Sequence, residues 1–223
     1  MALLDLVCPT RCSGCGVAGS LVCRRCELVL TAPAICHVPT PCPAGMPQTW
    51  VVSAYDGPVR SMLLDFKERG AVGLARPLGD VVARCAAAAA PDPGTALLLV
   101  PVPSTPAAIR RRGDDVVRLL AEQASRRLRT CGRQAKVAAV LRQRRQVADS
   151  AGLSASARMM NLADALEVPL RAASGVRGSH IVIIDDLVTT GATLTTATGA
   201  LVRAGAQVLG AAVVAATQRQ RNW

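Results

Sequence analysis

Apolar residues occur along this chain in short runs, and these runs alternate with amphipathic stretches. The apolar runs predict strands, which we place at residues 49–55, 97–102, 136–141, 181–185 and 207–215. Stretches with apolar residues every three or four positions predict helices at residues 59–69, 74–90, 114–130 and 193–204, and another short helix opens at Ser154. Strands that alternate with helices indicate an α/β fold, with a parallel sheet covered by helices on both faces.

Residues 180–194, HIVIIDDLVTTGATL, carry the most informative chemistry. Four β-branched residues lead into two adjacent carboxylates, Asp185 and Asp186. A loop of small residues comes next: Thr189, Thr190, Gly191, Ala192 and Thr193. Glycine permits a tight turn there, and the free N–H groups that open the following helix can bind an anion. The layout predicts a phosphate beside two acids that bind the hydroxyls of a sugar; the alternative is a βα unit whose carboxylates only solvate a strand end.

Composition narrows the class of protein. The chain has 223 residues, 51% of them hydrophobic, which is enough for one domain with a core and a small appendage. Its net charge of +11 comes almost wholly from arginine. That charge favours anionic partners such as phosphate, pyrophosphate or nucleic acid, unless it reflects a biased genome. No secretory signal and no apolar run long enough for a bilayer occur, so we expect a soluble cytoplasmic protein without membrane insertion.

The cysteines cluster near the N-terminus in two Cys-x2-Cys pairs: Cys12, Cys15, Cys23 and Cys26. Four thiolates at this spacing can close a tetrahedral structural zinc site. The alternative is a redox or disulfide cluster, which a reducing cytoplasm disfavours.

Residues 31–48 are rich in proline and poor in periodic signal, which is typical of a linker. We therefore predict a zinc-binding module and linker over residues 1–45, followed by a main domain over residues 46–223.

Residues 180–194 resemble the phosphoribosyl pyrophosphate (PRPP) motif of type I phosphoribosyltransferases. In that motif a hydrophobic strand, two acidic residues and a short linker precede a Thr-Gly-Thr-like loop. The chain also contains, in this order, a cysteine-rich start and the phrases AYDGPVRSMLLDFKERG, VPVPSTPAAIRRRG and AGLSASARMMN. These features make nearly the whole chain similar to the ComF (ComFC) family of competence-associated, phosphoribosyltransferase-like proteins. The resemblance implies a type I phosphoribosyltransferase-like parallel sheet flanked by helices, with a small N-terminal zinc-binding module.

The resemblance also implies roles for particular residues. Asp185 and Asp186 would be the catalytic pair that contacts the ribose hydroxyls, and residues 189–193 would wrap the 5′-phosphate. The loop after strand 97–102 would bind the pyrophosphate, through Pro103, Ser104 and Arg112. An arginine-rich lid would close over it, through Arg142, Arg144 and Arg145. Mg²⁺ would accompany the diphosphate.

The loop after residue 102 departs from the family pattern. ComF-like sequences commonly continue Arg-Gly-Phe-Asn-Gln, whereas this chain continues Arg112, Gly113, Asp114, Asp115. We expect the two acids to cap the next helix rather than to act in catalysis. The arginines at positions 110–112 suit a pyrophosphate, which a guanidinium can bind in bidentate fashion, or else form a solvated basic face.

Two functional hypotheses follow from these patterns. The first is an enzyme that binds PRPP and transfers phosphoribose to an acceptor. The second is a non-catalytic competence or DNA-uptake protein that binds single-stranded DNA and keeps the site as a ligand sensor. The chain has only four aromatic residues, which weakens the second hypothesis because single-strand binders usually stack bases on aromatic rings. No pattern in the sequence specifies the acceptor or an oligomeric state.

Overall fold

The computed structural model describes residues 10–144 and 165–217. The strands are β1 (Ile35–His37), β2 (Thr49–Val51), β3 (Ser53–Ala54), β4 (Leu97–Pro101), β5 (Ala135–Val137), β6 (Arg142–Gln143), β7 (Leu166–Glu167), β8 (His180–Val188) and β9 (Gln207–Ala216). The helices are α1 (Arg24–Leu30), α2 (Gly57–Glu68), α3 (Ala75–Ala89), α4 (Pro106–Arg112), α5 (Val116–Thr130), α6 (Leu170–Ala173) and α7 (Ala192–Arg203), with a 3₁₀ turn at Val72–Leu74.

Within the described ranges, seven strands form one sheet in the order β1-β2-β9-β8-β4-β5, and β3 also pairs with β9. All its pairings are parallel except that of β1 with β2. Apolar clusters cover both faces: one holds core residues of α2, α3 and α5, and the other those of α7. The predicted α/β fold with a mostly parallel, helix-covered sheet is confirmed.

Strand β8 lies at the centre of this sheet, between β4 and β9. Its residues 181–184 are fully buried, as expected of a parallel strand covered on both faces. The strand is longer than the predicted 181–185, because β9 continues beside it and pairs Asp185 with Val213 and Leu187 with Ala215. The two carboxylates therefore lie within a paired strand rather than after its last residue.

Helices α2, α3, α5 and α7 follow the predicted amphipathic stretches closely, whereas α1, α4 and α6 were not predicted. Helix α4 begins at Pro106, whose missing N–H costs nothing at a first helical position. The Thr105 hydroxyl caps it by accepting a hydrogen bond from the Ala108 N–H at 3.1 Å. Among the described residues, no helix combines the length and the apolar character needed to cross a membrane.

The N-terminal segment shares its core with the sheet. Leu30, the last residue of α1, belongs to the same buried cluster as α2 and α3. The predicted linker contains β1, which extends the edge of the sheet and was not predicted. The Arg84 guanidinium of α3 donates hydrogen bonds to the carbonyl of Leu30 and, at 3.4 Å, to that of Asp80. Arg84 thus connects the end of α1 to α3, which packs against the main sheet.

This connection predicts a measurable loss of stability. Replacing Arg84 with Met should lower the free energy of unfolding by about 1–3 kcal/mol, because a part-buried carbonyl loses a charged donor. Arg76→Met, at an exposed arginine of the same helix, is the matched control. Urea denaturation of both variants tests this, and equal unfolding midpoints would show that the contact does not stabilise the protein.

Candidate functional site

The two carboxylates lie where β8 meets the end of β4. Ile184 pairs with Pro101, and the Val102 N–H donates to the Ile184 carbonyl at 2.9 Å. The loop after β4 therefore begins beside Asp185. In open parallel sheets, ligands bind at this carboxyl edge of the strands.

Asp186 is buried, with a residue exposure of 3%. The Lys67 Nζ, from the last turn of α2, lies 2.6 Å from its Oδ2 as an ion pair. Nζ and Oδ2 are thus in direct contact, and no other group within the described residues donates a hydrogen bond to this buried oxygen. Sequence reasoning missed Lys67, and its signal was weak: it is one of only two lysines in an arginine-rich chain.

Asp185 has a different environment. Its Oδ1 accepts a hydrogen bond from the Asp186 N–H at 2.9 Å. Burial of the carboxyl and, next, the charge of Asp186 raise the pKa of Asp185 to about 8, although the Asp186 N–H and Lys67 act to lower it. The carboxyl of Asp185 therefore binds a proton more readily than an isolated aspartate does.

The loop after β8 has the form expected of an anion site. Gly191 adopts a φ of +80°, in the left-handed region that favours glycine. A Cβ at this position would also lie 2.5 Å from the Met46 Sδ. The exposed residues Ala192 and Thr193 open α7, and N–H groups in a first helical turn have no partner within the helix. These groups can bind a phosphate.

Thr189 and Thr190 are exposed on the same loop. The Thr190 Oγ1 accepts a hydrogen bond from the Ala192 N–H at 3.4 Å. The five predicted loop residues are thus contiguous in space as well as in sequence, and they directly follow the carboxyl edge that holds the two acids.

A cleft of about 460 Å³ adjoins this loop. Three of the predicted ligand-binding segments border it, through Pro103 after β4, Arg144 beside β6, and Thr193 at the start of α7. The structure therefore brings these three residues to one cavity.

The arginines after β4 contact the protein itself. Arg111 and Arg112 place Nη2 atoms 3.0 and 2.9 Å from the two carboxylate oxygens of Glu68, at the end of α2. Ser104 donates to the Asp115 Oδ1 at 2.8 Å. Asp115 also accepts from the Arg118 N–H, so it caps α5 as predicted. A pyrophosphate at Arg112 stays a prediction, and its binding would compete with Glu68.

The hairpin of β6 and β7 carries two of the predicted lid residues. Arg142 Nε lies 2.6 Å from Glu167 Oε1, and Arg144 Nε lies 4.0 Å from Glu167 Oε2. Arg145 and the helix predicted at Ser154 fall outside the described residues.

The four paired cysteines meet at one point. The sulfur atoms of Cys12, Cys15, Cys23 and Cys26 all lie within 4.8 Å of one another. The first pair lies in a tight turn, where the Gly16 N–H donates to the Cys12 carbonyl at 2.8 Å. The second pair lies at the start of α1, with Cys23 at the N-cap position. Turn and helix together bring the four thiols into one cluster.

The thiols of the cluster have different environments: burial and the neighbouring thiols raise the pKa of Cys26, whereas the surroundings of Cys12 favour its thiolate. Burial acts to raise the pKa of Cys12, but hydrogen bonds from the backbone N–H groups of Cys23, Cys15 and Gly14 outweigh it and lower that pKa to about 6. A thiolate is the form that coordinates a metal. Four cysteine sulfurs at this separation could hold a zinc ion.

Comparison with known proteins agrees with this geometry. Residues 115–222 match the family model of the phosphoribosyl transferase domain. The matched segment begins at the cap of α5 and includes both carboxylates and the loop at residues 189–193. No curated protein matches the chain. The family match supports a type I phosphoribosyltransferase-like family and a phosphoribosyltransferase-like activity.

The raised pKa of Asp185 predicts a pH-dependent stability. Its ordinary value is 3.8 and its value in the folded protein is about 8, so the stability it contributes is full below pH 4 and is lost as the pH rises through 8. Asp185→Asn should therefore be more stable than the wild type at pH 8, by at least about 1.4 kcal/mol, the value of one pKa unit.

Thermal unfolding at pH 4, 6 and 8 measures this difference, which should vanish at the lowest pH. Asp114→Asn, at an exposed acid, is the control. A variant no more stable than the wild type at pH 8 would contradict the raised pKa of Asp185.

Proposed function

We propose that this protein binds PRPP at the carboxyl end of β8 and transfers its phosphoribosyl group to an acceptor. The observation that carries the proposal is the pair Asp185 and Asp186 directly before a glycine-containing loop at the N-terminus of α7. The match of residues 115–222 to the phosphoribosyl transferase domain supports it. We further propose membership of the ComF family, on the order of the sequence phrases that extend the resemblance beyond the matched segment.

The geometry supports a particular placement of the phosphate, ribose and diphosphate groups of PRPP in the site. The 5′-phosphate would bind the N–H groups and hydroxyls of residues 189–193, and the ribose hydroxyls would donate to Asp185 and Asp186. The cleft bordered by Pro103, Arg144 and Thr193 leaves room for the remaining groups. The carboxylate oxygens suit Mg²⁺, which would arrive with the diphosphate.

The proposed reaction needs no covalent nucleophile. The bond between C1 of the ribose and the diphosphate breaks, pyrophosphate leaves with the electron pair, and C1 bonds to the acceptor. C1 gains positive charge in the transition state, so the site would act by orienting the ribose and by placing negative charge near it. Asp185 and Asp186 would orient the ribose through its hydroxyls, and Asp186 would supply the negative charge.

The single-strand DNA alternative has less support. The net charge of +11 and the exposed arginines suit a polyanion. However, the three aromatic residues within the described ranges are buried or half-buried: Trp50, Tyr55 and Phe66. The Arg60 guanidinium also lies over the Tyr55 ring, 5.9 Å from its centre. These rings offer little surface for base stacking.

The phosphate loop can be tested with a charge. Thr193→Glu places a carboxylate in the first turn of α7, where it favours the helix but repels a phosphate. We expect the affinity for PRPP with Mg²⁺ to fall about a hundredfold or more, since unit charges roughly 4 Å apart near a protein surface repel by about 4 kcal/mol. Isothermal titration calorimetry measures this.

Thr193→Gln is the matched control, because glutamine has the same size as glutamate but carries no charge. It should retain affinity within about an order of magnitude, the effect of one neutral hydrogen bond. Wild-type protein that does not bind PRPP, or equal affinities for the Glu and Gln variants, would refute the proposed site.

We also propose that the N-terminal cysteines bind a structural zinc ion. Freshly purified, reduced protein should contain about one zinc per chain, because four thiolates complete one tetrahedral site. Cys12→Ser should lose the metal and unfold the N-terminal segment. Cys36→Ser, at an exposed cysteine of β1 outside the cluster, should keep it. Metal analysis that finds no zinc in the wild type would remove this part of the proposal.

A further inference from the structure

We infer that Lys67 is a positioning residue of the site, which holds Asp186 as the charged acceptor for a ribose hydroxyl and so gives the two neighbouring carboxylates different roles. The inference rests on the proposed function. Lys67 lies outside residues 115–222, so the family match says nothing about it.

The first support is how rigidly Lys67 is placed. It follows Phe66 in α2, and Met62, Leu63 and Phe66 of that helix are buried in the core. The side chain of Lys67 is 25% exposed and reaches out of this packed helix to the end of β8. The packing of α2 therefore fixes the backbone of Lys67, and only the side chain of this residue is free to adjust the position of the ammonium group.

The second support is the burial of its partner. The side chain of Asp186 is 5% exposed, and an ionised carboxylate at such a position needs a nearby cation. Lys67 supplies it at 2.6 Å. Asp185 instead receives the N–H of Asp186 at its Oδ1. One acid thus has a cation beside it and the other an amide, although they are adjacent in sequence.

The third support is the oxygen that Lys67 contacts. Lys67 Nζ lies 2.6 Å from the buried Oδ2 of Asp186, so the cation neutralises the carboxylate from the side of α2. A ligand hydroxyl at the carboxyl edge of β8 would then donate to the other carboxylate oxygen, Oδ1. A hydrogen bond to a charged oxygen is the stronger kind.

The neighbouring strands reinforce this dependence on Lys67. The segments beside the pair are residues 100–103, at the end of β4 and just after it, and residues 213–216 in β9. They contain only Val, Pro and Ala, so they bring no polar side chain to Asp186. Compared with these two segments, α2 is the element that supplies the cation.

The test compares ribose 5-phosphate with inorganic phosphate as calorimetric probes. Lys67→Met should weaken the binding of ribose 5-phosphate about ten- to a hundredfold, the value of a hydrogen bond to a charged group. Inorganic phosphate should bind within about twofold of the wild type, because its contacts lie at residues 189–193. Lys67→Arg should restore most of the affinity by keeping the cation.

A second comparison separates positioning from direct ligand contact. In an Asp186→Asn background, Lys67→Met should cause no further loss of affinity for ribose 5-phosphate, because the charge of Asp186 is already absent. This double variant also leaves no unpaired buried charge that could prevent folding. Arg69→Met is the matched control, because Arg69 lies two residues away and pairs with Asp65 at 2.6 Å.

Three outcomes would overturn the inference: unchanged binding by Lys67→Met, an equal loss in the Asp186→Asn background, or a parallel loss for inorganic phosphate. The first shows no role, and the other two show that Lys67 contacts the ligand phosphate or supports the fold generally. Failure of the wild type to bind ribose 5-phosphate or PRPP would instead refute the proposed function itself.

Discussion

Two adjacent carboxylates within a central, helix-covered strand are the constraint around which this structure is arranged. Residues 181–184 of β8 are fully buried, and Asp186 is buried as well. Asp185 and Asp186 follow the apolar residues directly, and two carboxylates this close repel each other when both are charged. The surrounding elements relieve the repulsion: α2 brings a cation to one carboxylate, and the backbone brings an N–H to the other.

The same arrangement couples segments that are distant in the chain. Helix α2 contributes Lys67 to the carboxylate pair and Glu68 to the arginines after β4. Two consecutive residues thus contact both the ribose and the pyrophosphate parts of the proposed site. A change in the position of this helix would move charges at both places at once. Binding at one part therefore has a physical route by which to affect the other.

The fold and the centre of the site could be predicted because their signals are local. An apolar run followed by two acids, glycine and threonines specifies strand, turn and helix within fifteen residues, and capping residues such as Asp115 act over three or four positions. Lys67 could not be found in this way, because its partner lies more than a hundred residues away and only packing brings the two together. Packing also brings together Glu68 and Arg112, which are 44 residues apart. Strand β1 was missed as well, because its three residues form a strand only beside β2.

The strands at the two ends of the sheet order, β1 and β5, have only three residues each. Prolines at positions 33 and 39 flank β1 and remove backbone donors on either side of it. An edge so short and interrupted offers few N–H and C=O groups to a strand from another molecule. The proline-rich stretch before β2 thus makes the β1 edge of this alanine- and valine-rich sheet a poor template for edge-to-edge pairing.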